Sequence, residues 1–200
     1  MVTALVLAAG RSRRFGTLLK PLLRCGDTSF LGAILDTLAG SRVDDVRVIL
    51  GHEADRVIDA VAVPREMVTI NHGYEAGMLS SVQHGIRVLP RETTAFVVWP
   101  VDHPLVRVET IDRLVEEFVR AAPPLVLPLH DGRRGHPVLF SADLAAELME
   151  APAADGARAV VRAHAADRVE IAVDDPGVIA DIDSPEAYAR AFGRPPESRH

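Results

Sequence analysis

Short, unbroken apolar runs separated by amphipathic stretches constrain this chain more than any other feature of its sequence. The runs are Ala4-Leu5-Val6-Leu7, Val46-Arg47-Val48-Ile49-Leu50, Met67-Val68-Thr69-Ile70, Ala95-Phe96-Val97-Val98-Trp99 and Leu125-Val126-Leu127. A strand that is apolar at nearly every position has both faces covered, the condition of a parallel strand between two layers of helices. Between the runs, Leu31, Ile34, Leu35 and Leu38 follow a plausible cap at Thr28 with helical spacing, as do Ile111, Leu114, Val115, Phe118 and Val119 further on. This alternation predicts an α/β fold: a doubly wound, mostly parallel sheet with helices on both faces. Such sheets bind ligands beyond the carboxyl ends of their strands, so function is expected in the loops that follow strands.

The chain has 200 residues, enough for one large core. Residues 1–192 are expected to form one domain, and the polar, proline-marked segment from Gly193 to His200 a disordered tail. A net charge of −6, with Lys and Arg scattered, excludes the phosphate-tracking surface of a nucleic-acid binder. The single cysteine, Cys25, has no partner for a disulfide or a zinc site and fits a reducing, cytoplasmic compartment. The apolar opening from Met1 to Ala9 lacks the basic leader and the length of a signal peptide. No apolar run approaches the roughly 20 residues that span a bilayer, so no membrane partner is expected.

The first strand leads directly into Leu7-Ala8-Ala9-Gly10-Arg11-Ser12-Arg13-Arg14-Phe15-Gly16, followed by Lys20-Pro21-Leu22. Glycines let backbone N–H groups turn toward phosphate oxygens, and Arg14 and Lys20 supply the positive charge a polyanion requires. Neither the P-loop pattern nor the dinucleotide Gly-x-Gly-x-x-Gly is present. The same composition also describes a plain glycine-rich turn with solvated arginines.

Asp102 follows the run ending at Trp99 and precedes Pro104, which places it at a strand's carboxyl end, facing the crevice. A hard divalent cation carried on phosphates takes one or two protein carboxylates, and Asp102 is the first candidate. Asp181 and Asp183 alternate across Ile182 and so share one face of an extended segment. Ser184 and Pro185 read as the N-cap and first turn of a last helix, and these aspartates equally suit a capping role there. His103, His52, His72, His84, His130 and His164 are each isolated, with no His-Glu-x-x-His spacing, and carry no assigned role. Gly77-Met78-Leu79-Ser80-Ser81 can present helix N-terminal N–H groups and two hydroxyls to a ligand, or can be an ordinary helix start. Gly132-Arg133-Arg134-Gly135-His136-Pro137 reads as a turn before the apolar run Val138-Leu139-Phe140.

The motif at residues 7–16 resembles the signature of the MobA-like nucleotidyltransferases, Leu-Ala-(Ala/Gly)-Gly-x-Ser-x-Arg-(Met/Phe)-Gly followed by Lys. The resemblance continues through Asn71 and Gly77 to Val82, Pro100 to Leu105, Gly135 to Phe140 and Asp181 to Glu186, in order over nearly the whole chain. Within that family it is most similar to the molybdenum cofactor cytidylyltransferase (MocA-like) branch. The resemblance implies a Rossmann-like nucleotidyltransferase fold and transfer of CMP from Mg-CTP to a molybdopterin acceptor, with release of pyrophosphate. It implies Lys20 and Arg14 as catalytic residues on the triphosphate. Leu7, Ala8, Ala9, Gly10, Ser12, Gly16, Gly77, Ser80 and Ser81 would bind the nucleotide, Asp102 and Asp183 the Mg2+, and Arg133, Arg134 and His136 the acceptor. Leu7-Ala8-Ala9-Gly10, with Ala at the third position, goes with cytidylyl rather than guanylyl transfer. Alternatives are a guanylyltransferase, a sugar- or alditol-phosphate nucleotidyltransferase, and a non-catalytic chaperone that carries cofactor to a molybdenum hydroxylase client.

Overall fold

The computed structural model describes residues 1–198. In chain order it contains β1 (Val2–Leu7), β2 (Arg24–Cys25), β3 (Thr28–Ser29), α1 (Phe30–Ala39), β4 (Asp45–Leu50), α2 (Ala54–Val61), β5 (Val68–Ile70), α3 (Met78–Arg87) and β6 (Ala95–Pro100). There follow α4 (Val108–Ala121), β7 (Leu125–His130), β8 (Arg133–Arg134), β9 (Val138–Ser141), α5 (Ala145–Glu150), α6 (Ala157–Ala163), β10 (Val169–Ala172) and α7 (Pro185–Phe192).

The main sheet runs β10-β7-β9-β6-β1-β4-β5, with β8 paired to β7. The expected doubly wound, mostly parallel arrangement is present. β1 lies parallel between β4 and β6, and the register sets Leu7 beside both Ile49 and Pro100. The loops that leave these three strands therefore start from one edge, side by side. β9 is the departure from parallel order. It runs antiparallel to both β6 and β7, Phe96 opposite Phe140 and Val126 opposite Leu139, because the chain reverses at the β7–β8 turn instead of crossing over through a helix.

Strand alternation explains why β1 is apolar throughout. Ala4, Val6 and Ala8 pack into a core with Leu31 and Ile34 of α1, Val57 of α2, Ile111 and Leu114 of α4 and Tyr188 of α7. Leu5, Leu7 and Ala9 pack on the other face with Val82 of α3, Leu148 of α5 and Val160 of α6. Each strand residue thus has a helix to bury against.

Local signals mostly hold, with corrections at element ends. The cap of α1 is Ser29, whose Oγ accepts from the Gly32 N–H at 3.1 Å, not Thr28, which pairs in the small β2–β3 hairpin. Val119 keeps helical spacing yet is 75% exposed, on the outer side of α4. Ser184 caps α7 as expected, accepting from the Ala187 N–H. Residues 193–198, expected to be disordered, include an extended stretch beside β2, where the Arg24 N–H donates to the Glu197 carbonyl at 2.9 Å and Leu23 bridges Ser198. Backbone pairing, which composition does not reveal, holds that stretch in place. The last two residues of the expected tail, 199 and 200, lie outside the described residues.

One buried carboxylate joins the start of α4 to the segment before α7. Asp175 is 2% exposed; its Oδ2 accepts from the Arg107 N–H and the Thr110 hydroxyl, and its Oδ1 from the Gly177 N–H. Arg107 stands at the N-cap of α4 without a side-chain cap of its own, so Asp175 does this work from a distance. Asp175→Ala strands three donors and is expected to lower the unfolding free energy by about 3 kcal/mol or more in urea denaturation; a loss below about 1 kcal/mol would mean that the donors find other partners.

Candidate active site

A cavity of about 430 Å³ opens at the carboxyl edge of β1 and β6. Its walls are Leu7 to Gly10, Ser12 to Arg14, Lys20 and Pro21 from the segment after β1, Tyr74, Gly77, Met78 and Ser81 around the start of α3, Pro100 to Asp102 from the end of β6, and Asp183. Most of the residues singled out by sequence therefore meet in one place. Gly16, Ser80, Arg133, Arg134 and His136 do not line it.

The glycine-rich loop is held by its own serine. Ser12 adopts a positive φ of 52° and its Oγ accepts from the Lys20 N–H at 2.7 Å, which folds the loop back on itself. Lys20 then reaches across to Asp102, Nζ to Oδ2 at 3.1 Å, with side chains only 16% and 20% exposed. Arg14 pairs with Asp183 nearer solvent. The aspartate of the last segment reaches the site because the Ile182 N–H donates to the Asp102 carbonyl at 2.9 Å. Two cation–carboxylate pairs thus face the same cavity.

The start of α3 is shaped from within. Gly77 has φ 100° and ψ 179°, a conformation that side-chain-bearing residues avoid. Buried Asn71 donates through Nδ2 to the hydroxyls of Ser80 and Ser81 at 2.9 and 3.1 Å, and its Oδ1 accepts from the Gly73 N–H. Ser80 also donates to the Gly77 carbonyl at 2.8 Å. Its hydroxyl is spent on the turn, whereas Ser81 and Gly77 border the cavity. Arg11 closes one rim, with Nε donating to the Tyr74 hydroxyl and a guanidinium pairing with Glu75 at 2.8 Å.

His103 is the residue that sequence reasoning passed over. It is 6% exposed, its carbonyl accepts from the Trp99 indole N–H at 3.0 Å, and one ring nitrogen lies with carboxylate oxygens of Asp102 and Asp181 in a cluster no wider than 4.8 Å. Its ring also lies against that of His136, centroids 4.8 Å apart. The Nδ1 atoms of both rings are buried without a hydrogen-bond partner among the described residues. Burial pushes both imidazoles below the usual histidine range, that of His136 to about 4, so both are neutral near pH 7. Burial, and then the neighbouring Asp102, push Asp181 above the usual carboxylate range. The one available signal was that His103 directly follows the strand-end Asp102; an isolated histidine offers no local pattern beyond that.

The acceptor-side residues divide. Arg134 is exposed on β8 and engages Glu170 at 2.7 Å, and Arg133 is exposed beside it. His136 instead turns inward, because its N–H donates to the Val178 carbonyl at 2.8 Å and Gly135 lets the two backbones touch. A Cβ at Gly135 would sit 2.4 Å from that carbonyl oxygen.

A mostly parallel sheet whose first βα loop, strand-end aspartate and final segment enclose a cavity is the arrangement of a nucleotide-handling α/β domain. The family model of the MobA-like NTP transferase domain matches residues 4–169, and the chain belongs to that family. Among solved structures it is similar to Rv0371c from Mycobacterium tuberculosis H37Rv, 30% identical with a TM-score of 0.86 over 96% of this chain and 97% of that one. The structure of that mycobacterial protein in complex with manganese aligns at 28% identity and a TM-score of 0.78, over 96% and 98% of the two chains. Molybdopterin-guanine dinucleotide biosynthesis protein A from Archaeoglobus fulgidus, 17% identical with a TM-score of 0.68 over 96% and 97%, shares the fold. The bifunctional protein GlmU of Neisseria meningitidis serogroup B is 30% identical over 56% of this chain, and the chain spans about a quarter (24%) of that relative's length.

Gly135→Ala is expected to cost about 1–3 kcal/mol, since backbone has to move to admit the methyl. Thermal unfolding would report it, and an unchanged melting temperature would show that the residue 135–178 contact is loose.

Proposed function

We propose that this protein transfers CMP from metal-bound CTP to a phosphorylated acceptor of the molybdopterin type, releasing pyrophosphate. The observation that carries the reading is the convergence of Lys20–Asp102 and Arg14–Asp183 on one cavity floored by the glycine-bearing loop after β1. A binding protein would need the loop; four charges held in two pairs around it fit a site where charge is redistributed during reaction.

Asp102 and Asp183 fit a divalent cation. Both present hard carboxylate oxygens to the cavity, and one or two carboxylates are what a cation riding on triphosphate takes from protein. When bound, such a metal, Mg2+ in the first instance, neutralises charge on the triphosphate. The relative solved with manganese supports a divalent metal in this family. Lys20, its backbone N–H held by Ser12 and its side chain largely buried, follows charge as it grows on the α-phosphate oxygens. Arg14, more exposed, is free to leave Asp183 for the β- and γ-phosphates. Ala8, Ala9 and Gly10 offer backbone to base and ribose. The terminal phosphate of the acceptor attacks the α-phosphorus as pyrophosphate departs in line, and catalysis comes from positioning and charge stabilisation without a covalent enzyme intermediate. Arg133 and Arg134 stand outside the cavity and receive no role in this step.

The decisive experiment offers purified protein each NTP with Mg2+ and molybdopterin and identifies the product by mass. A cytidylyl product supports the proposal; pyrophosphate release absent with every NTP would favour a carrier protein. Lys20→Ala is expected to lower kcat far more than it weakens CTP binding, and a mutant changed only in KM would remove Lys20 from the transition state.

Specificity should rest partly on Ala9, a buried wall residue of the cavity. One methyl discriminates by about 1–3 kcal/mol, so Ala9→Gly is expected to relax a preference for CTP without inverting it. Competition between equal CTP and GTP measures this; wild-type protein that prefers GTP would overturn the cytidylyl assignment.

A further inference from the structure

Asp102, His103 and Asp181 meet beside the cavity, of which only Asp102 among the three is a wall residue. Three separate contacts fix them. The Trp99 indole holds the His103 carbonyl, the Ile182 N–H holds the Asp102 carbonyl and thereby sets Asp181, and the His136 ring backs that of His103. Lys20 engages Oδ2 of Asp102. The ligand atoms of the three residues lie within 4.8 Å of one another. A first-row cation binds nitrogen and carboxylate oxygen at about 2.0–2.2 Å, so donors on opposite sides of it stand up to about 4.4 Å apart. At most one pair of three donors can be opposite, and neighbouring donors stand about 3–3.5 Å apart, so the side chains would draw together around an ion.

The histidine makes this more than an acidic cluster. It is more than nine-tenths buried, and its Nδ1 has no partner among the described residues, an arrangement that costs stability unless something else uses the lone pair or proton. Mg2+ prefers all-oxygen octahedra, whereas first-row transition ions, Mn2+ the most oxygen-loving among them, also accept imidazole.

We propose that Asp102, His103 and Asp181 form a mixed nitrogen–oxygen site for a divalent first-row transition cation, which the protein binds without nucleotide. The role of this ion in nucleotidyl transfer rests on the function proposed above, through the shared Asp102; its binding does not. Nitrogen ligation also gives His103 and the adjacent His136 a purpose that a Mg-NTP complex on Asp102 and Asp183 does not supply.

The test uses Mn2+ alone as the probe, added to chelator-treated full-length protein in the absence of any nucleotide. Electron paramagnetic resonance should show Mn2+ removed from solution at one site per chain, and pulsed measurements should show 14N modulation that changes to the 15N pattern when histidine is 15N-labelled. His103→Asn should abolish the histidine modulation. Asp181→Asn should weaken Mn2+ binding at least about tenfold, since even outer-shell partners of metal ligands are worth that much. Failure of the wild type to retain Mn2+, bound Mn2+ lacking a histidine signal, or a signal that survives His103→Asn would each overturn the site. The labelled wild type decides the matter should the variants not fold. Pyrophosphate release with Mg2+ in the same preparation separates the two proposals: release without Mn2+ retention removes this site alone, and retention without release with any NTP removes the transferase reading alone.

Discussion

The hydrogen bond from the Ile182 N–H to the Asp102 carbonyl, 2.9 Å long, joins the last segment of the chain to the end of a central strand. Everything chemical at the carboxyl edge depends on it. Asp102 is placed by β6, and β6 by its register with β1. Asp181 and Asp183 have no strand of their own; they flank Ile182, which is 1% exposed and anchored in the core that also holds Tyr188. Burial of Ile182 and Tyr188 thus fixes two carboxylates that are themselves partly exposed. α7, capped by Ser184, keeps the segment from sliding.

Around that anchor the charges are graded by exposure. The Lys20–Asp102 pair is largely shielded, and loss of either partner would leave a poorly solvated charge. Arg14 and Asp183 are 66% and 38% exposed, so their attraction is screened and contributes little to stability. One pair is therefore fixed and the other exchangeable. A polyanion entering the cavity would meet a lysine already in position and an arginine that can change partner at small cost, which suits the transfer proposed above.

How much of this was legible in the sequence follows from the range of each interaction. β1 could be read because its alternating residues each require a helix, and the position of Asp102 because a strand end is a local feature. That the loop after β1 would line the crevice was legible for the same reason, although the use of Ser12 to hold the Lys20 N–H was not, since a serine hydroxyl has many possible partners. Ser80 looked like a ligand-facing hydroxyl; Asn71 and the Gly77 carbonyl claim it instead. The glycines of 132–137 read as hairpin punctuation, and β7 and β8 do pair antiparallel; the insertion of β9 between β6 and β7 was not legible, because Val138 to Phe140 is as apolar as any strand buried on both faces. The resemblance implied the arginines of β8 as acceptor ligands; neither lines the cavity, and Arg134 pairs with Glu170.

The histidines show why some chemistry cannot be read locally. His103 and His136 are each unremarkable in sequence, one beside a proline after a strand, the other before a proline in a glycine turn. They meet because two backbone contacts are closer than side chains would allow: Gly135 against Val178, and Gly177 against the Leu105 carbonyl, where a Cβ would sit 2.2 Å from oxygen. Those glycines are needed for approach, not for flexibility, since neither takes a positive φ. The segment 176–179 is wedged between them, and Asp175 locks its near end to α4. A rigid wedge behind His103 and His136 keeps two neutral, unpartnered rings next to two carboxylates. Two buried ring nitrogens without a partner among the described residues cost stability, and that cost is the opening the cation site proposed above would use.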